Sequence, residues 1–337
     1  MVYGAIDLHM RHSRIRIIEA EGHVLRDQRV PTNAERFLAA FAGYGSMLLV
    51  VESGTESEWV AQTLEGAGHE VIVVDPNFAP MYGELRRKVK TDTRDVAALA
   101  EANRRGWYRA AYRASPAQRA RRQTLRARRQ LVRMRSGTIA LVRALVRQTG
   151  ARVGAGSSER FAQRLEQLPL SPALRETIAP LTRTLTLLTR EIATLDTHLA
   201  QEAKSDPVVQ RLQTVPGVGP VVALTFRAFV DRIERFGSAA QVSAAIGLVP
   251  REDSSAERRH QGHITKAGPG EVRSLLIQAA WVCWRTSRQG PFRAWADQVA
   301  ARRGKRIAVV ALARRLSRVL YAMWRDETDF LGSRVAA

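Results

Sequence analysis

A chain of 337 residues has room for two buried cores, and its 53 Lys+Arg against 32 Asp+Glu leave a net charge of +21. So large an excess points to a polyanion, and nucleic acid fits better than a membrane surface, because no apolar run is long enough to span a bilayer. The single cysteine, Cys283, excludes an intrachain disulfide framework and a cysteine-cluster zinc site, and with no signal peptide apparent it predicts a cytoplasmic protein.

The first thirty residues read as three short strands. They are Tyr3 to Leu8, His12 to Ala20 with Ile15 and Ile17 on one face, and His23 to Val30 after the Glu21-Gly22 turn. Pro31-Thr32-Asn33 opens a helix to about Ala42, with Thr32 and Glu35 spaced as a capping box. Met47 to Val51 is a continuous apolar run, the pattern of a strand buried on both faces. A helix over 56–67 and a second buried strand, Val71 to Val74, follow. A meander followed by alternating strands and helices predicts a mixed α/β sheet of the ribonuclease H-like kind.

Four acids stand out on this scaffold. Asp7 ends the first strand and Glu52 directly follows the fourth, so neighbouring strands bring both to one sheet edge. Asp92 and Asp95 lie three residues apart where a polar segment becomes an Ala/Leu-rich helix, which places both on one helical face. Alone, that pair reads more readily as a capped helix start with acids at the positive end of the dipole. A buried lone carboxylate is expensive, and four acids converging on Mg²⁺ remove the expense. Two such ions can drive phosphodiester chemistry, with Mn²⁺ as a substitute.

Between Glu101 and Glu159 there is no acid but there are fifteen arginines, densest from Arg119 to Arg135. Leu125, Val132, Ile139, Val142 and Val146 recur at helical spacing, so this reads as a helix with one packed stripe and a broad basic face. Its guanidinium forks suit phosphates, with Arg119, Arg121, Arg122, Arg126, Arg128, Arg129 and Arg133 as the candidate nucleic-acid contacts. After the Gly/Ser-rich turn at 150–158 a second long helix carries Ile178, Leu181, Leu185, Leu188, Ile192, Leu195 and Leu199. Steps of 3 and 4 predict a coiled-coil strand.

Past Ser205-Asp206-Pro207 the composition changes. Val215-Pro216-Gly217-Val218-Gly219-Pro220 looks like a helix–hairpin–helix, in which Gly217 and Gly219 open backbone N–H groups to a phosphate. A polar loop from Gly247 to Gly268 carries Ser254 and Ser255. Two further helices are expected over 269–285 and 304–326, with Trp281, Trp284, Trp295 and Trp324 in the core.

These motifs, in this order, resemble one bacterial family: the transposases of the insertion sequence one-hundred-ten family, now regarded as bridge-RNA-guided recombinases. The matching stretches are Ala5-Ile6-Asp7, Val51-Glu52-Ser53-Gly54, Lys90-Thr91-Asp92 through Asp95-Val96-Ala97-Ala98-Leu99-Ala100, Val215 to Pro220, Gly247-Leu248-Val249-Pro250, Ser254-Ser255, and Gly262-His263-Ile264-Thr265-Lys266-Ala267-Gly268. The resemblance implies three regions. Residues 1–110 form a RuvC-like DEDD nuclease domain, 111–205 a basic helix and coiled-coil linker, and 206–337 a mostly helical serine transposase domain with the helix–hairpin–helix. It also implies that Asp7, Glu52, Asp92 and Asp95 are the metal-binding tetrad and Ser255 the nucleophile, with Ser254 as second choice. The family commonly has glycine after that serine, where this chain has Ala256. Arg251, Arg258, Arg259, His260 and Lys266 flank the serines as phosphate contacts.

The implied partners are donor and target DNA, a guide RNA, and further copies of the chain in a dimer or tetramer whose active sites are composite. A nucleoid-associated location goes with them. The competing readings are a RuvC-like, structure-selective DNA endonuclease using metal-activated water, and a non-catalytic nucleic-acid-binding protein.

Overall fold

The computed structural model describes residues 1–78, 91–252, 261–286 and 291–330, and the chain divides into two compact units, Met1–Arg113 and Ala114–Ala337. The first is built on a five-stranded sheet, in the order β3-β2-β1-β4-β5. Its strands are β1 (Val2–Asp7), β2 (His12–Glu19), β3 (Val24–Pro31), β4 (Leu48–Glu52) and β5 (Glu70–Val74). The meander β1–β2–β3 is antiparallel, and β4 and β5 join parallel to β1. The sheet is therefore mixed, as the early strand pattern predicts.

Alternation sorts the strand residues onto two faces. Ile6, Ile15, Ile17, Leu49, Val51, Val71 and Val73 face α1 (Ala34–Phe41) and α2 (Ser57–Gly66), and pack with Phe37, Phe41, Val60 and Leu64. Ala5, Ile18, Val50 and Val74 face α3 (Asp92–Arg105), whose Val96, Leu99, Ala100 and Ala102 cover them. The capping box is a difference from expectation: the side chain of Asn33, not Thr32, accepts the Arg36 N–H at the start of α1. Thr32 follows the last residue of β3 with its N–H donating to Arg11 O, and its hydroxyl donates instead to the carbonyl of His9.

The second unit holds two long helices, α4 (Pro116–Arg147) and α6 (Pro172–Ser205), joined through the short α5 (Phe161–Glu166). They run antiparallel. Arg121 pairs with Glu202 and Asp206 at one end, and Ile139, Val142 and Val146 share a cluster with Ile178 and Leu185 towards the other. The remaining helices, α7 (Pro207–Leu212), α8 (Pro220–Val230), α9 (Ala239–Ile246), α10 (Gly270–Thr286), α11 (Pro291–Arg303) and α12 (Lys305–Arg325), bury the larger core. Trp284 and Trp324 are buried in it, with Trp281 and Trp295 packed against it.

Two features of this unit lie beyond the expectation. Residues 291–303 form α11, and the polar loop is bounded by a two-stranded ribbon, β6 (Pro250–Glu252) with β7 (Gln261–Ile264). Among the described residues no helix is long and apolar enough to cross a membrane.

Candidate active site

The parallel register places Ala5 beside Val50 and Ile6 beside Val51. One residue further, Asp7 and Glu52 stand together at the carboxyl ends of adjacent strands. Each is two residues beyond a side chain that faces α3, so alternation puts both carboxylates on that face. Asp7 is only 4% exposed, and its Oδ2 has no hydrogen-bond partner among the described residues. Glu52 is half-buried.

One buried side chain sets where α3 lies on the sheet. The Asn103 amide donates to Gly4 O at 2.9 Å and to Leu48 O at 2.8 Å, tying the far end of α3 to the first residues of the β1/β4 pair. From Asn103 back to Asp95 is about 12 Å of helix, and from Gly4 on to Asp7 is about 10 Å of strand. The two lengths match, so the first turn of α3 reaches the strand ends carrying Asp7 and Glu52. Thr91 caps the helix with extended backbone, and Gly106 ends it in the left-handed conformation, just past Arg104 and Arg105. Asp95 is buried and Asp92 exposed.

Between Asp7 and Asp92 stands a residue the sequence pattern does not single out. His9 lies in the β1–β2 turn, with Nε2 3.4 Å from Asp7 Oδ2 and 3.6 Å from Asp92 Oδ1. Asp7, His9 and Asp92 each offer a donor atom within 4.8 Å of the others. Burial pushes the Asp7 carboxyl above its ordinary range; His9 opposes this, and the charges of Asp92 and Asp95 add to the rise. A buried carboxylate with an oxygen that makes no hydrogen bond among the described residues, facing further acids, fits a divalent cation. Hard oxygen donors of this kind suit Mg²⁺ or Mn²⁺.

The arginines of α4 divide into two sets. Arg121 is buried against Gln118, Glu202 and Asp206, Arg122 donates to Ala228 O, Arg119 to Ala114 O, and Arg128 pairs with Asp196. The acids that pair with Arg121 and Arg128 come from α6 and the residue that ends it, and Arg135 pairs with Glu159. Arg126, Arg129 and Arg133, one helical stripe, instead line a cavity of about 510 Å³ with Gln130, Pro269, Gly270 and Glu271. Arg129 meets Glu271 at 3.3 Å, while Arg126 and Arg133 are exposed.

The glycine motifs of the second unit have packing reasons. Gly217 has φ +84°, and a Cβ there would lie 2.6 Å from Ala279 O, so the turn before α8 needs glycine to lie against the α10 backbone. Gly219, at the start of α8, faces open space. Gly247 (φ +77°) and Gly268 (φ +81°) interlock: a Cβ would lie 2.1 Å from Ala267 O at the first and 1.9 Å from Ala245 O at the second. With Lys266 N–H donating to Gly247 O and Thr265 N–H to Val249 O, they clamp the base of the β6–β7 ribbon. Arg251 and Lys266 are exposed on that ribbon and its base. Ser254, Ser255, Arg258, Arg259 and His260 lie outside the described residues.

Comparison with known proteins adds two matches. Residues 209–294 match the family described as transposase IS116/IS110/IS902, and residues 5–150, which contain all four acids, match the DEDD transposase domain of the IS110 group. The chain belongs to this transposase family.

Three of its relatives align along most of their length. The transposase for insertion sequence element IS1111A of Coxiella burnetii is 29% identical over 94% of this chain and 88% of its own. A probable family 20 transposase of Pseudomonas aeruginosa is 29% identical over 84% and 85%, and the transposase for IS1328 of Yersinia enterocolitica 25% identical over 96% and 97%. The transposase is thus an enzyme of a DNA-cleaving and DNA-joining class, and its DEDD-type domain points to divalent-metal dependence.

Proposed function

We propose that this transposase cuts and rejoins DNA by metal-assisted phosphodiester transfer. Asp7, Glu52, Asp92 and Asp95 hold two Mg²⁺, replaceable by Mn²⁺, and Ser255 is the nucleophile, with Ser254 as second choice. The observation that carries the reading is Asp7: a buried carboxylate whose Oδ2 makes no hydrogen bond among the described residues and has only the exposed His9 imidazole beside it, on one sheet face with Glu52 and close to Asp92. Cations held by these carboxylates would neutralise the scissile phosphate and make phosphorus easier to attack.

The serine hydroxyl forms a new P–O bond as the bond from phosphorus to a deoxyribose oxygen breaks. The serine loses its proton, and the departing oxygen gains one. Attack by a hydroxyl of the receiving strand reverses the step and frees the serine. One phosphodiester bond is kept throughout, so joining needs no ATP. Water in place of serine would leave a nick.

The nucleic-acid contacts in this reading are the stripe Arg126, Arg129 and Arg133, the ribbon residues Arg251 and Lys266, and Arg258 and Arg259 beside the serines. The exposed charge of Arg126 and Arg133 beside a cavity supports the first of these. The hairpin around Gly217 and Gly219 acts as a helix–hairpin–helix, and α4 with α6 as a coiled coil. A structured guide RNA supplies the sequence reading, so the protein contacts backbone and shape. The working form is a homo-oligomer, in which the tetrad of one subunit acts with the serine of another.

The test combines purified protein, donor and target DNA, Mg²⁺ and RNA transcribed from the flanking non-coding DNA. Joined products and protein covalently attached to a DNA end are expected. Asp7→Asn should lose both, and Ser255→Ala the covalent adduct. Joining that survives Ser255→Ala and Ser254→Ala together overturns the serine step. Nicking alone, without adduct, would return the reading to a water-using endonuclease.

A further inference from the structure

We propose that His9 is a nitrogen ligand of this cation site, making it a mixed carboxylate–imidazole site that prefers Mn²⁺-like transition ions to Mg²⁺. The inference rests on reading the acids around Asp7 as a cation site and adds a ligand of another class.

The distances carry it. Ligands held at about 2.1 Å from one cation lie about 3.0 Å apart when adjacent and about 4.2 Å apart when opposite. His9 Nε2 stands 3.4 Å from Asp7 Oδ2 and 3.6 Å from Asp92 Oδ1, so a shift of about half an ångström by the exposed imidazole brings it to the spacing of adjacent ligands with both acids. Both distances are longer than an ordinary N–H···O hydrogen bond. Asp7 Oδ2 is buried and makes no hydrogen bond among the described residues, so its contact with the imidazole is a loose ion pair that a cation shared by the two would replace.

The backbone of His9 is held in place although its side chain is 52% exposed. Its N–H donates to Ser13 Oγ at 3.3 Å, and its carbonyl accepts from Thr32 Oγ1 at 2.7 Å. Ser13 Oγ and Thr32 Oγ1 lie 2.8 Å apart, and Ser13 is fully buried. Ser13 and Thr32 are positioning residues: they fix the turn from which the imidazole reaches the acids. A site that fixes its ligands beforehand loses less on binding. Imidazole nitrogen favours transition ions, whereas all-oxygen sites suit Mg²⁺.

The experiment uses the full chain and Mn²⁺ alone. Pulsed EPR reads coupling between Mn²⁺ and ¹⁴N, and calorimetry measures Mn²⁺ and Mg²⁺ affinity in wild type, His9→Ala and Asp7→Asn, each checked for folding by its melting curve. The expected result is a ¹⁴N coupling in wild type that disappears in His9→Ala. Mn²⁺ affinity should fall about tenfold or more, since even the loss of an outer partner costs that much, with a smaller change for Mg²⁺. Absence of the coupling in wild type, or its persistence in His9→Ala, overturns the proposal. Asp7→Asn separates the two failures. Loss of Mn²⁺ binding there with no ¹⁴N coupling in wild type leaves the acid site standing and removes His9 alone. Unchanged binding in Asp7→Asn removes the acid site and His9 with it.

Discussion

At the level of single residues, the proposed metal ligand Asp7 carries a stability cost of its own. Its carboxyl is held above the ordinary range, first by burial. Such a group binds its proton more tightly in the folded chain than in the unfolded one. The cation-free protein therefore loses stability as pH rises from the ordinary aspartate range through the native value, and no further above it. Asp7→Asn removes that loss. In EDTA at neutral pH the variant should melt higher than wild type, with the gap closing towards about pH 4, as thermal melts at a series of pH values would show. Cleavage should be lost at every pH. A variant that melts lower at neutral pH would mean that Asp7 has a stabilising partner in the fold. Asp7 and Glu52 are legible in the sequence because an acid at the end of an apolar strand is an anomaly. His9 is not, because a histidine in a turn follows no period, and only folding brings it beside Asp92.

Among the elements, the clamp under the β6–β7 ribbon explains why two glycine motifs flank the serines. Gly247 and Gly268 lie against each other's backbone neighbours, so a side chain at either would collide with a carbonyl and not with a movable group. Gly247→Ala should destabilise the second unit by more than the roughly 1–2 kcal/mol of the left-handed backbone alone. Gly262→Ala, on the same ribbon but with only Arg251 O at 4.0 Å, should change stability little. Urea unfolding of the two variants checks this, and equal losses would remove the clamp. The same scale shows why helix ends are harder to read than helices. Thr32 and Glu35 have capping-box spacing, yet Asn33 caps α1, because the Thr32 hydroxyl is already engaged by a strand turn 23 residues away in the chain.

For the whole molecule, the net charge of +21 is not one uniform basic surface. Much of the α4 charge is answered by Asp196, Glu202 and Asp206, and only part of it remains for a partner. Replacing both Arg126 and Arg133 with alanine should lower the slope of log affinity against log salt by about 0.7–0.9 for each phosphate that is no longer neutralised. Arg128→Ala should leave the slope unchanged and weaken the α4–α6 pairing instead. Binding titrations with duplex DNA and with RNA over a range of salt decide this. Equal slopes for all variants would mean that the stripe faces no phosphate.

The sequence by itself determined the mixed sheet, the long helices and the family, because periodicity and ordered motifs are local properties of the chain, and it singled out the four acids proposed as the metal site. Only the tertiary structure decided which arginines are already paired, which glycines are there for packing, how Asn103 aligns α3 with β1 and β4, and that His9 stands between Asp7 and Asp92. The physical reason is the same in each case. A hydrogen bond, an ion pair or a steric contact depends on its partner's position in space, and here the partners lie tens of residues away: 99 between Asn103 and Gly4, 68 between Arg128 and Asp196.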